Sequence, residues 1–206
     1  MKKNYLNLSK KIKMKIGLYF GTFNPIHVGH LIIANHMAEY SDLEQVWMVV
    51  TPHNPHKQKN TLLDDYHRLH LVRLATEDYP KIKPSDIEFK LSQPNYTVNT
   101  LAHLKDNYPQ HEFSLIMGED NLKSLHKWKN YEYILDNHDV YIYPRVAEET
   151  QNFELTNQTR IHKIDAPIVE ISSTFIRENI KNKKNIRPLL SEKVWEYVDH
   201  NNFYRK

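Results

Sequence analysis

The sequence predicts an α/β fold: a doubly wound parallel sheet in one domain that closes on C-terminal helices. Strand and helix signals alternate from residue 15 to the end, the pattern of strands joined through crossover helices. Several strand candidates are apolar without alternation, as strands covered on both faces are. A length of 206 residues, with 40% hydrophobic and 11% aromatic content, is enough for one sizeable core.

KIGLYFG (15–21) is the first strand, and a helix follows over 28–40 with Leu31, Ala34, Met37 and Ala38 on one face. QVWMVVT (45–51) is a continuous apolar run and so a buried strand. PHNPHKQKNTLL (52–63) has two prolines and no periodicity and reads as a loop; its polar part, PHNPHKQKN, is the candidate lid. A helix over 64–78 has Leu69, Val72, Leu74 and Ala75 as its apolar residues and Asp64 or Asp65 as its cap. SDIEFK (85–90) reads as a short strand, NYTVNTLAHLKDNY (95–108) as a turn and helix, and HEFSLIMG (111–118) as another buried strand. Two short helices fit 119–126 and 130–136, and HDVYIYPR (138–145) and TRIHKIDA (159–166) are strands. SSTFIRENIKN (172–182) and SEKVWEYVDHNN (191–202) are the closing helices. No repeat, low-complexity tract or second domain breaks this order.

Composition removes several function classes. With no cysteine there is no disulfide, no thiolate nucleophile and no Cys-based zinc site, which fits a reducing cytoplasm. No apolar run approaches the ~20 residues that span a bilayer, so no membrane role is expected. The net charge is +3, but Lys2, Lys3, Lys10, Lys11 and Lys13 all lie in residues 1–13, which hold no acid; without those five, residues 14–206 stand at −2. A basic face for a nucleic-acid backbone is therefore not expected. The basic tail, ending just before Met14, is expected to be disordered, and residues 14–206 to form the domain.

In a doubly wound sheet, ligands bind beyond the carboxyl ends of the strands. The first strand ends in GTFNPIHVGH (21–30), where Gly21 allows close backbone approach, Thr22 offers a hydroxyl and Phe23 precedes the turn fixed by Pro25. The following helix starts near His27, so its free N–H groups and positive dipole end face the same space. His27 and His30 lie three apart, on one helical face. Such a pair suits a polyphosphate. It could also ligate a metal, but the zincin pattern sets its histidines four apart with a Glu between, and that Glu is absent.

Later strand ends add partners. MGEDN (117–121) places Gly118 against a ligand, and Asp120 either accepts from a ribose or base or simply caps a helix start. The strand at 138–143 ends in Pro144 and Arg145. ISSTFIR (171–177) gives three consecutive hydroxyls and Arg177 at a helix start, more than capping by Ser172 requires, and suited to outer phosphates. Tyr96 and Trp128 are either core aromatics or walls for a flat ring.

GTFNPIHVGH with ISSTFIR resembles the signature of the nucleotidyltransferases that share an H-x-G-H motif. Within them the chain is similar to the bacterial nicotinate-nucleotide adenylyltransferases, with further matching blocks at PHNPHK (52–57), YTVNTL (96–101), MGEDNLKSLHKWKNYEYIL (117–135) and RPLLSEKVWEYVDHNNFY (187–204). The resemblance covers residues 14–204 and implies a Rossmann-like fold. It implies transfer of the adenylyl group of ATP to nicotinate mononucleotide, giving deamido-NAD and pyrophosphate in NAD biosynthesis. Mg2+ would be bound through the ATP phosphates, with no dedicated metal site on the protein. The resemblance assigns His27, His30 and Arg177 to catalysis. It gives ATP Gly21, Thr22, Phe23, His27, His30, Gly118, Asp120, Asn121, Ser173, Thr174 and Arg177. It gives the mononucleotide Lys57, Tyr96, Thr97 and Trp128. The neighbouring alternatives are nicotinamide mononucleotide as acceptor and another superfamily transfer such as that to phosphopantetheine. Homo-oligomerisation is left open. One position departs from the family: Asn24 stands where Asp is common, so any role needing negative charge there is in question.

Overall fold

Among the described residues six short segments pair side by side and all run parallel, so each must be joined to the next by a crossover. In chain order they are β1 (Lys15–Gly21), β2 (Gln45–Val50), β3 (Ile82–Ser85), β4 (Glu112–Gly118), β5 (Val140–Tyr143) and β6 (Ile161–Lys163). The helices are α1 (Val28–Tyr40), α2 (Asp65–Thr76), α3 (Thr97–Asn107), α4 (Glu119–Leu122), α5 (Tyr131–Asn137), α6 (Ser173–Lys181) and α7 (Glu192–His200). The computed structural model describes residues 13–52, 62–145 and 160–205. The expected disorder of the tail up to residue 12 and the candidate lid beyond Pro52, Lys57 included, lie outside the described residues.

The strand order is β3-β2-β1-β4-β5-β6. The chain builds outward from β1 to β3, returns to lay β4 beside β1, and builds outward again, which is the Rossmann-like order. The reversal falls between β1 and β4, and it opens a crevice at their carboxyl ends. Period-two alternation divides the buried side chains between the two sheet faces. Tyr19, Met48, Ile116 and Tyr141 pack with residues of α1, α2, α6 and α7. Ile16, Leu18, Leu115 and Met117 pack with α3, α5, Leu122 and Leu125. The predicted α1 face is buried as expected, with Leu31, Ala34, Met37 and Ala38 all inside. Asp64 is the α2 cap, its carboxylate accepting from the Tyr66 N–H at 2.9 Å. No helix among the described residues is long and apolar enough to cross a membrane.

One element lies elsewhere than the sequence suggests. The third strand is Ile82–Ser85, in register from Val46↔Ile82 to Val49↔Ser85, and Ile87–Lys90 is a 3-10 turn instead of the strand expected over 85–90. β3 is an edge strand, where Pro84 needs no ladder N–H. Glu88 holds the following turn off the sheet: its buried carboxylate accepts from the Thr100 hydroxyl at 2.8 Å, and its carbonyl accepts from the Asn95 side chain at 2.9 Å. The helix expected over 119–126 is also divided, into α4 and a 3-10 turn over Leu125–Lys127.

Candidate active site

The crevice is built around the turn that joins β1 to α1. Phe23, in the middle of that turn, has a left-handed backbone with φ 45°, uncommon for a side chain of this size and often found where function fixes the backbone. The Phe23 ring occupies the space over Gly21, where a Cβ would lie 2.8 Å from ring carbons; this glycine accommodates the chain's own aromatic. Three carbonyls of the turn accept from side chains far along the sequence. Arg68 Nη1 donates to Thr22 O at 2.6 Å, Arg177 Nη1 to Asn24 O at 2.8 Å, and Ser173 Oγ to Pro25 O at 2.9 Å. Asn24 Oδ1 accepts from the Tyr204 hydroxyl at 2.8 Å and from the Leu63 N–H at 3.2 Å. Both of these partners are donors, so accepting from them needs no negative charge.

His27 is the residue before α1, and His30 lies one turn in. Their rings stack with centroids 3.7 Å apart and planes 27° from parallel. The His27 backbone N–H donates to His30 Nδ1 at 3.2 Å, so in the neutral imidazole the ring proton sits on Nε2. His27 is buried, and its Nδ1 has no hydrogen-bond partner among the described residues. Burial, reinforced by the charge of Arg145, pushes the His27 pKa down to about 4, and the imidazole is neutral at physiological pH.

These groups face a cleft of about 690 Å³. Of the predicted ATP set, Gly21, Thr22, Phe23, His27, His30, Asp120, Asn121, Ser173, Thr174 and Arg177 line it together. Gly118 lies just behind the wall: a Cβ there would collide with Asp120 Oδ1 and approach Arg145 side-chain atoms to 3.2 Å. The ISST hydroxyls have structural partners. Ser172 Oγ accepts from Phe175 N at 3.1 Å, Ser173 holds the β1–α1 turn, and Thr174 Oγ1 accepts from Arg177 Nη2 at 3.2 Å.

Of the predicted mononucleotide residues, Tyr96, Thr97 and Trp128 do not line this cleft. Tyr96 precedes α3, partly exposed, and Thr97 begins it. Lys129 Nζ lies 4.6 Å from the Tyr96 ring centroid, which brings the segment carrying Trp128 against the start of α3. Trp128 is half-buried on the edge of a core cluster.

Arg145 is a cleft residue that the sequence reading placed at a strand end but did not assign. It packs over the Tyr143 ring, 5.5 Å to the centroid, and its Nε is 3.8 Å from Asp120 Oδ1. With Arg177 it gives the cleft two guanidiniums, and Asp120 is the one carboxylate among the described lining residues. Arg68 was missed altogether. It is fully buried, and besides Thr22 O it donates to Leu63 O at 2.9 Å, Thr51 O at 2.9 Å and Pro52 O at 3.1 Å, and pairs with Asp65. Its position within a helical pattern gave no signal of this.

Residues 18–179 match the cytidylyltransferase-like family model. A "probable nicotinate-nucleotide adenylyltransferase" of Flavobacterium psychrophilum is 78% identical over 193 residues, covering 94% of this chain and all of that protein. One of the same name from Flavobacterium johnsoniae is 75% identical over the same shares. Among solved structures, a nicotinic acid mononucleotide adenylyltransferase of Plasmodium falciparum complexed with NaAD superposes with a TM-score of 0.78 at 19% identity, over 93% of this chain and 97% of that one. That likeness is one of fold.

Proposed function

We infer the reaction from the family: the chain belongs to the cytidylyltransferase-like family and, within it, to the nicotinate-nucleotide adenylyltransferases. It transfers the adenylyl group of ATP to nicotinate mononucleotide, forming nicotinate adenine dinucleotide and pyrophosphate in NAD biosynthesis. The same reading puts the chain in the cytoplasm. The observation that best supports it is the cleft itself: among the described residues it brings together two stacked histidines at a helix start, two guanidiniums and one carboxylate.

In this reaction a phosphate oxygen of the mononucleotide bonds to the α-phosphorus of ATP. The bond to the β-phosphate oxygen breaks, and pyrophosphate leaves opposite the incoming oxygen. No group on the protein needs to become covalently attached, so positioning and charge stabilisation suffice. We assign His30 Nε2–H and the start of α1 to the phosphates. Arg177, on the second turn of α6, meets the leaving pyrophosphate, where charge accumulates. Arg145 faces it from just beyond the end of β5, and Asp120 and Asn121 take the adenosine. His27 stays neutral and supplies a hydrogen bond without adding to the charge of the two guanidiniums. Tyr96, Thr97, Trp128 and Lys57 would form the acceptor's side. The donor set fits a cation carried on ATP: with Asp120 the one carboxylate among the described lining residues, Mg2+ would be held by phosphate oxygens and water and would neutralise charge on the leaving group.

Exchange of labelled pyrophosphate into ATP tests direct transfer. With nicotinate mononucleotide present, label should enter ATP as the reaction reverses; with ATP and pyrophosphate alone it should not. Exchange without the mononucleotide would mean an adenylylated protein intermediate.

A further inference from the structure

The residues holding the β1–α1 turn include one from the far end of the chain. Tyr204 does not line the cleft, yet its hydroxyl donates to Asn24 Oδ1 at 2.8 Å across 180 residues of sequence. The C-terminal segment is itself anchored: α7 packs on α2, with Tyr197 OH and His67 Nδ1 2.8 Å apart and the Phe203 ring 4.9 Å from that of His67. After α7 the backbone turns left-handed at Asn202 (φ 55°) and again at Tyr204 (φ 63°). Left-handed backbone is tolerated by Asn but uncommon for a bulky side chain such as that of Tyr204. The chain therefore accepts such backbone on both sides of this one hydrogen bond, at Tyr204 and at Phe23, next to Asn24.

We propose that Tyr204 is a positioning residue for adenylyl transfer, acting through Asn24 on the turn that carries His27 and His30. This rests on the reaction assigned above. Tyr204 and Leu63 hold the Asn24 side chain, while Arg177 holds its carbonyl. With Arg68 on Thr22 O and Ser173 on Pro25 O, the carbonyls of Thr22, Asn24 and Pro25 are all engaged by donors of the protein. A carbonyl released from such a partner could rotate toward the cleft and repel phosphate oxygens. Tyr204 is suited to the task because burial raises its hydroxyl pKa, so it keeps the proton it donates.

The test is a double-mutant cycle of Tyr204→Phe and Asn24→Ala, with kcat, KM for ATP and thermal stability measured on each protein. Tyr204→Phe keeps the ring and removes only the hydroxyl. The expected result is kcat lower by about tenfold, with KM for ATP within about twofold, as for loss of alignment in the reacting complex. The double variant should lose no more than Asn24→Ala alone, because the two residues act through one bond. Unchanged kcat in Tyr204→Phe, a loss no larger than its unfolded fraction, or losses that multiply in the double variant would overturn the proposal. If the unmodified protein makes no dinucleotide from ATP and nicotinate mononucleotide, the reaction assignment fails instead.

Discussion

His30→Ala should lower the rate of pyrophosphate release by about 10²–10³-fold, the loss typical of removing one preorganised donor to developing charge. His30 has the geometry for that part. Its Nδ1 accepts from the His27 N–H, which fixes the ring and sets the proton of the neutral imidazole on Nε2. The ring lies edge-on to Phe23, with centroids 5.1 Å apart, and stacks on His27, so it is held before substrate arrives. Because His30 is only half-buried, its removal should lower the melting temperature by no more than a few degrees. Kinetics and melting measured on one preparation separate the two effects. Turnover within about tenfold of the unmodified protein would remove His30 from the site's chemistry.

Arg68→Leu should have the largest effect on stability, a loss of about 4 kcal/mol or more, since truncating one member of a buried charged network strands its partners. The guanidinium joins four backbone carbonyls, Thr22, Thr51, Pro52 and Leu63, and the carboxylate of Asp65. A leucine fills part of the volume and satisfies none of them. In a chain of this length the loss corresponds to a fall of roughly 8–16 °C in melting temperature. Calorimetry at neutral pH reads it directly; a fall below about 3 °C would show that water or rearranged backbone replaces the network. Thr22 and Thr51 sit at the carboxyl ends of β1 and β2, so activity should fall with stability.

Much of this site was legible because its residues follow strand ends. The H-x-G-H pair and the ISST hydroxyls stand at helix starts beyond strand ends, and a spacing of three alone places the two histidines on one face. The purpose of those hydroxyls was not legible: Ser173 and Thr174 bond the protein, and only the fold shows that Pro25 O and Arg177 are their partners. Arg68 reads in sequence as a solvated helical position, and Tyr204 as one aromatic near the terminus. Their partners lie 46 and 180 residues away, beyond any periodic pattern. The misplaced third strand has a similar cause. Ile87 and Phe89 alternate with polar neighbours as strand residues do, but the side-chain bonds around Glu88 override that local preference. At Asn24, where the sequence departs from the family, the side-chain oxygen accepts from two neutral donors, a part an amide can fill.

Pyrophosphate release from ATP, followed with nicotinate mononucleotide, nicotinamide mononucleotide and phosphopantetheine in parallel, tests the assigned reaction most directly. The predicted result is release coupled to dinucleotide formation with the acid, at a kcat/KM at least about tenfold above that for the amide. Equal or better use of the amide, or turnover of phosphopantetheine alone, would contradict it.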